Sequence, residues 1–124
     1  MKKELCGLRF SIKLIQMMKY KIVLATLAGC KSCQGLRELL TENRISFVDV
    51  PCDKDPGMCD QLEKLTGVSL YPMVIIKDFT QNLDYVYFTS YDYNVLGKEN
   101  IVDEKVRTVP FFTQQEILRK INSI

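Results

Sequence analysis

The chain has 124 residues, a net charge of +2 and no histidine. That length suits one compact domain with its own core, and the scattered basic residues leave no footprint for nucleic acid or a membrane surface. Without histidine there can be no Ser-His-Asp triad, no Cys-His dyad and no His-ligated metal.

Residues 1–17 can be read in two ways. Leu5, Leu8, Ile12 and Ile15 form a helical stripe, whereas Phe10, Ile12 and Leu14 alternate as in a strand. The segment opens like a secretory signal, but Glu4, Arg9 and Lys13 interrupt its apolar part and no small-residue cleavage site follows. No run approaches the roughly 18 apolar residues that cross a bilayer. The expected location is therefore cytoplasmic, with residues 1–17 as an N-terminal extension and Met17 or Met18 as an alternative start.

From Tyr20 the pattern sharpens. Residues 21–26, KIVLAT, form a nearly continuous apolar run, as in a strand covered on both faces. Cys30 and Cys33 follow in AGCKSCQG. Cys33, Leu36 and Leu40 then recur at helical spacing, with Asn43 as a stop. Residues 45–50 read as a second strand that Pro51 ends. Asp55 caps a second helix with Pro56 in its first turn, Met58, Leu62 and Leu65 as its core face, and Gly67 at its end. Residues 73–76 and 85–88 read as the third and fourth strands. Thr113 and Glu116 have the spacing of a capping box that opens a final helix with Ile117, Leu118 and Ile121 inside.

The expected fold is α/β, in the order β-α-β-α-β-β-α: a four-stranded mixed sheet between layers of helices. The two crossovers predict parallel pairing in the first half, and the short link to the fourth strand predicts an antiparallel pair there. Residues 89–109 are long for a connection. Their tyrosines and β-branched residues point to an added hairpin. Tyr87, Tyr91 and Tyr93 read either as core and edge packing or as a partner surface.

The cysteine pair carries the chemistry. Cys30 lies where a strand hands over to a helix, and Gly29 permits the turn. Free N–H groups and aligned peptide dipoles at that point favour an anion, so they favour the nucleophilic thiolate of Cys30. Lys31 adds a cation. Cys33, one turn on, is placed to resolve a mixed disulfide. Pro72, directly before the third strand, marks a sheet edge, a strand start or a cis bond.

Together, the CxxC at a strand–helix junction, the second βα unit FVDVPCDKDPGMCDQLEKLTGV and the YP before the third strand resemble glutaredoxins of the thioredoxin superfamily over roughly residues 20–88. The resemblance implies a thioredoxin-like α/β/α fold for residues 18–124 and thiol–disulfide oxidoreductase activity with Cys30 and Cys33 as catalytic residues. It also implies a cis Pro72 facing the disulfide, and a Tyr71 backbone that pairs with a bound peptide or glutathione. Substrate binding is thus expected at Tyr71, Pro72 and Lys31.

Three family features differ. Leu27 stands where glutaredoxins usually carry lysine or arginine, Lys31-Ser32 stands where the dipeptide between the cysteines is usually Pro-Tyr, and the Gly-Gly-x-Asp turn after the fourth strand is replaced by the 89–109 insertion. The implied electron source is glutathione or a thioredoxin-reductase-type enzyme. The implied partner is a disulfide-bearing protein, with ribonucleotide reductase a candidate by resemblance. No metal, nucleic acid or membrane partner is expected, and the chain is expected to be monomeric.

Two other readings compete. Cys30, Cys33, Cys52 and Cys59 give a C-x2-C-x18-C-x6-C pattern, in principle a four-cysteine zinc site. A thioredoxin-fold chain could also serve as a non-catalytic binding or assembly module. Of the remaining thiols, Cys52 reads as an accessory thiol or a loop residue, and Cys6 and Cys59 as packing residues. The odd total of five argues against a fixed disulfide framework.

Overall fold

The computed structural model describes residues 19–124. The alternatives for residues 1–17, the start methionine and Cys6 lie outside the described residues.

β1 (Tyr20–Thr26) leads into α1 (Lys31–Glu42), followed by β2 (Val48–Pro51), α2 (Pro56–Thr66), β3 (Met73–Asp78) and β4 (Leu83–Thr89). Then come β5 (Asn100–Ile101), β6 (Val106–Phe111) and α3 (Gln114–Asn122). One sheet holds all six strands, in the order β2-β1-β3-β4-β6-β5. The expected four strands are thus corrected to six. The expected hairpin is present as β5 paired antiparallel with β6. β6, however, continues past residue 109 and pairs in parallel with β4 from Asp84↔Val106 to Thr89↔Phe111. Pro110 hides this strand in the sequence, because a residue without an N–H argues against a ladder position. It is accommodated where β6 has run beyond its β5 partners, which reach only Thr108.

β1 and β2 are parallel, and β3 and β4 antiparallel, as predicted. The second crossover departs from prediction: β3 is antiparallel to β1, with Ala25 opposite Met73. The cause lies in residues 67–72, which bring the chain back to the end of the sheet where β2 finished, so β3 enters from there.

The pleat divides the core in two. Leu24, Val74, Ile76, Tyr87 and Val109 face α1 and α3, which contribute Leu36, Leu40, Ile117, Leu118 and Ile121. Val23, Ala25, Met73, Ile75, Val86 and Val106 face the other way, toward Cys52, Cys59 and Val68. Cover on both faces is why β1 and β3 read as unbroken apolar runs.

The helix ends follow the predicted chemistry. Asp55 Oδ1 accepts from the Met58 N–H at 3.2 Å, and Gly67 closes α2 in the left-handed region at φ 71°. Thr113 and Glu116 form their box, with the Glu116 N–H donating to Thr113 Oγ1 at 3.3 Å. The predicted face of α2 is corrected. Leu62 turns inward as predicted, but Met58 and Leu65 are exposed, and Cys59 and Thr66 face the core in their place. A disulfide from Cys59 to Cys52 at the end of β2 fixes that rotation. No helix among the described residues is long and apolar enough to cross a membrane.

Candidate active site

Because β1, β4 and β6 run the same way and β3 runs opposite, one end of the sheet collects the exits of β1, β2, β4 and β6 and the entry of β3. The CxxC lies at this end. Gly29, at φ 70°, turns the chain out of β1, a backbone geometry that costs glycine little. Cys30 then takes the N-cap position of α1 in extended conformation. Its Sγ accepts the Cys33 N–H at 3.1 Å, the bond an N-cap serine or aspartate would make through oxygen. Cys30 is partly exposed and Cys33 is 2% exposed. The two sulfurs are joined as a disulfide. One sulfur therefore faces outward and the other stands against the core, as their helical spacing predicted.

Cys30, Lys31 and Cys33 line a groove of 530 Å³ together with Leu27, Arg37 and Lys54. Lys31 is exposed at its rim. Arg37, which the sequence reading did not single out, sits one turn beyond Cys33 on the same helix. Its Nη2 reaches Asp49 Oδ2 at 3.0 Å and Thr26 Oγ1 at 3.2 Å, so it ties α1 to the ends of β1 and β2. Its i+4 spacing from Cys33 was the available signal.

Gln114 is the second residue missed. Its Nε2 donates to the Ser32 carbonyl oxygen at 2.6 Å, across 82 positions of sequence. The start of α3 is thereby bonded to the dipeptide between the two cysteines. No local pattern announces such a contact.

The other two predicted site residues sit at the same sheet end but outside the groove lining. Pro72 directly precedes Met73, the register partner of Ala25, and is almost fully buried. The Tyr71–Pro72 bond is cis. The Tyr71 phenol turns toward α2 and donates to Glu63 Oε1 at 2.8 Å. Partial burial, with the Glu63 carboxylate beside it, pushes its pKa up to about 12. Burial, assisted by Tyr85 and Glu99, pushes Tyr87 up to about 12 as well.

These shifts fix a pH dependence. A phenol whose folded pKa lies above its unfolded value contributes stability that is complete below about pH 10. That contribution disappears as pH rises toward 12. An ultraviolet titration should therefore contain a delayed component from two phenols. Tyr71→Phe should remove half of it, and a titration in which Tyr71→Phe leaves that component intact contradicts the assignment.

Cys52 and Cys59 also differ from expectation. They are neither an accessory thiol nor separate packing residues, but bonded to each other and buried at 6% and 4% exposure. The prediction against a fixed disulfide is corrected accordingly. The odd count concealed an even set, since Cys6 is the fifth. Among the described residues no group of three or more cysteines and carboxylates is placed to hold a metal ion, so the four thiols of the zinc reading do not converge.

The glutaredoxin family model matches residues 22–79. These residues are a glutaredoxin domain. The match runs from β1 to just beyond β3 and so includes Cys30, Cys33, Arg37, the buried second disulfide and Tyr71–Pro72. No curated protein matches the chain. A glutaredoxin domain with a CxxC pair at this junction supports a thiol–disulfide oxidoreductase-like role. The sheet around it is the thioredoxin-like β2-β1-β3-β4 core, widened by β6 and β5.

Proposed function

We propose that the chain is a dithiol reductant of disulfides in which Cys30 is the nucleophile and Cys33 the resolving thiol. The supporting observation is the asymmetry of the pair: Cys30 Sγ is partly exposed and accepts a helix N-terminal N–H, while Cys33 is 2% exposed. In the reduced enzyme that N–H and the helix dipole favour sulfur as the anion. The outer thiolate attacks one sulfur of the substrate disulfide, forms a mixed disulfide and expels the other substrate sulfur as a thiolate. Cys33 then loses its proton and attacks Cys30 Sγ, which regenerates the Cys30–Cys33 disulfide and releases the second substrate thiol. Two electrons pass from the enzyme dithiol to the substrate.

Lys31 stands at the groove rim as a cation that favours the Cys30 thiolate and the substrate thiolate it expels, and the Tyr71 backbone with Pro72, at the entry of β3, is the strand-like partner for the substrate backbone. Two electrons from two glutathione thiols, or from one protein dithiol, restore the reduced state. We favour a protein dithiol of the thioredoxin-reductase type. Leu27, exposed in the groove, replaces the usual cation, and the 89–109 insertion stands in the sequence where the usual carboxylate-holding turn would follow β4. The setting proposed is cytoplasmic, and the substrate a protein disulfide, of which ribonucleotide reductase is one candidate.

The test is to trap the intermediate. Cys33→Ser should accumulate a mixed disulfide through Cys30, seen by intact mass as substrate plus enzyme and released by dithiothreitol. If the adduct forms instead through Cys52, or does not form at all while Cys30 remains alkylatable, the division of labour is wrong.

A further inference from the structure

The insertion that widens the sheet ends in an exposed aromatic patch at the same end as the cysteines. Tyr91 is 86% exposed, Tyr93 73% and Phe112 41%. Yet they are not loose side chains. Tyr91 meets Phe112 edge-on with centroids 6.3 Å apart, and Tyr93 lies against the same ring at 5.4 Å. The loop that carries the tyrosines is clasped to β6 on both sides: Ser90 N–H donates to the Phe111 carbonyl at 2.8 Å, and Gly97 N–H to that of Pro110 at 2.7 Å. Asp92 and Ser90 tighten it from inside, through bonds to the N–H groups of Asn94 and Asp92. Three aromatic rings are thus held in fixed relation while facing water. Such pre-ordered aromatic area is what well-packed interfaces use as anchors.

The patch is joined to the redox site. Phe112 stands two residues before Gln114, whose amide holds the Ser32 carbonyl between Cys30 and Cys33. β4 and β6, which flank the patch, are two and three places from β1 in the sheet. At about 4.8 Å per strand this puts it roughly 10–14 Å across from the strand that delivers the cysteines. An extended tripeptide spans about 10 Å at most, so glutathione bonded to Cys30 would at best reach the near margin. A longer chain lying across the sheet end would cover the patch. Leu27, in the cysteine groove, and Leu70, just before β3, are also exposed, at 45% and 52%.

We infer that Tyr91, Tyr93 and Phe112 form the docking platform for the polypeptide that flanks the substrate disulfide, and that the insertion selects protein disulfides over small ones. The inference rests on the proposed dithiol activity and deepens it by assigning the surface that receives the polypeptide around the substrate disulfide.

Its test compares three probes: insulin as a polypeptide disulfide, bis(2-hydroxyethyl) disulfide as a small one, and a glutathione mixed disulfide. Each is assayed with wild-type protein and with a Tyr91→Ser/Tyr93→Ser variant. Both tyrosines are exposed loop residues, so the fold should be retained, as judged by an unchanged melting temperature. The expected result is a KM for insulin raised about tenfold, with kcat unchanged and both small substrates turned over normally. An unchanged insulin KM beside normal small-disulfide turnover removes the platform and leaves the oxidoreductase reading intact. A KM raised equally for the glutathione substrate overturns the polypeptide as occupant. A uniform fall in kcat makes the tyrosines structural and also overturns it. Loss of all activity already in the wild type is a failure of the proposed function, a result distinct from these.

Discussion

Cys30→Ser should reduce disulfide turnover to the uncatalysed background, a loss of roughly a thousandfold or more, with no loss of thermal stability relative to the reduced wild-type protein. The two halves of this expectation come from different properties of the same atom. As a structural group, Cys30 Sγ is an N-cap acceptor for the Cys33 N–H at 3.1 Å. Serine oxygen is at least as good a cap, so α1 keeps its start and Leu36 and Leu40 keep their places in the core. As a chemical group, a serine hydroxyl at neutral pH is neither ionised nor able to form a disulfide. The variant is therefore a folded protein without its nucleophile. The measurement pairs insulin reduction with a melting curve. Full turnover in a folded Cys30→Ser protein would sink the mechanism outright. Loss of both activity and fold would show that the sulfur's main task is capping.

The second large effect concerns stability. Replacing Cys52 and Cys59 together by alanine should cost about 2.5 kcal/mol from the freed loop alone. That is on the order of 10 °C in melting temperature for a domain of this size. The two residues are separated by 7 positions and close the turn between β2 and α2. They also lock Cys59 rather than Met58 onto the sheet, so α2 would lose its rotational anchor as well. The same burial makes a kinetic prediction: mild dithiothreitol should open the Cys30–Cys33 disulfide first and release the partly exposed Cys30 for alkylation, while Cys52 and Cys59 stay unlabelled until the protein unfolds. Peptide mapping distinguishes the pairs. Labelling of Cys52 as fast as Cys30 would mean that the second disulfide is itself open to exchange and is not a sealed brace.

The site was legible where chemistry is local. A cap, a turn glycine and a 3.6-residue period fix Cys30 outside and Cys33 inside without any distant contact, and Asp55, Gly67 and Thr113 mark their helix ends in the same way. Legibility failed where the decisive partner is far along the chain or where a local signal pointed elsewhere. Met58 and Leu65 are apolar at helical spacing, but a covalent tie to Cys52 outweighs that stripe. Pro110 speaks against a strand until it is known that β5 stops short of it. The direction of β3 depends on how residues 67–72 return along the molecule. The bond from Gln114 to Ser32 joins two ends of the sequence that no periodicity links.

The sheet's two margins have a consequence for self-association. Among the described residues, one margin is β2, four residues long and ending in Pro51, and the other is β5, of two residues. A free strand recruits a second chain in proportion to its run of unpaired N–H and carbonyl groups. Both borders are too short to template such growth. On β2, the Asp49 side chain is additionally held by Arg37, which leaves a charged pair where a flat apolar strip would invite fibres. The two strands β6 and β5 thus widen the sheet without lengthening the seam along which copies of this chain could zip together.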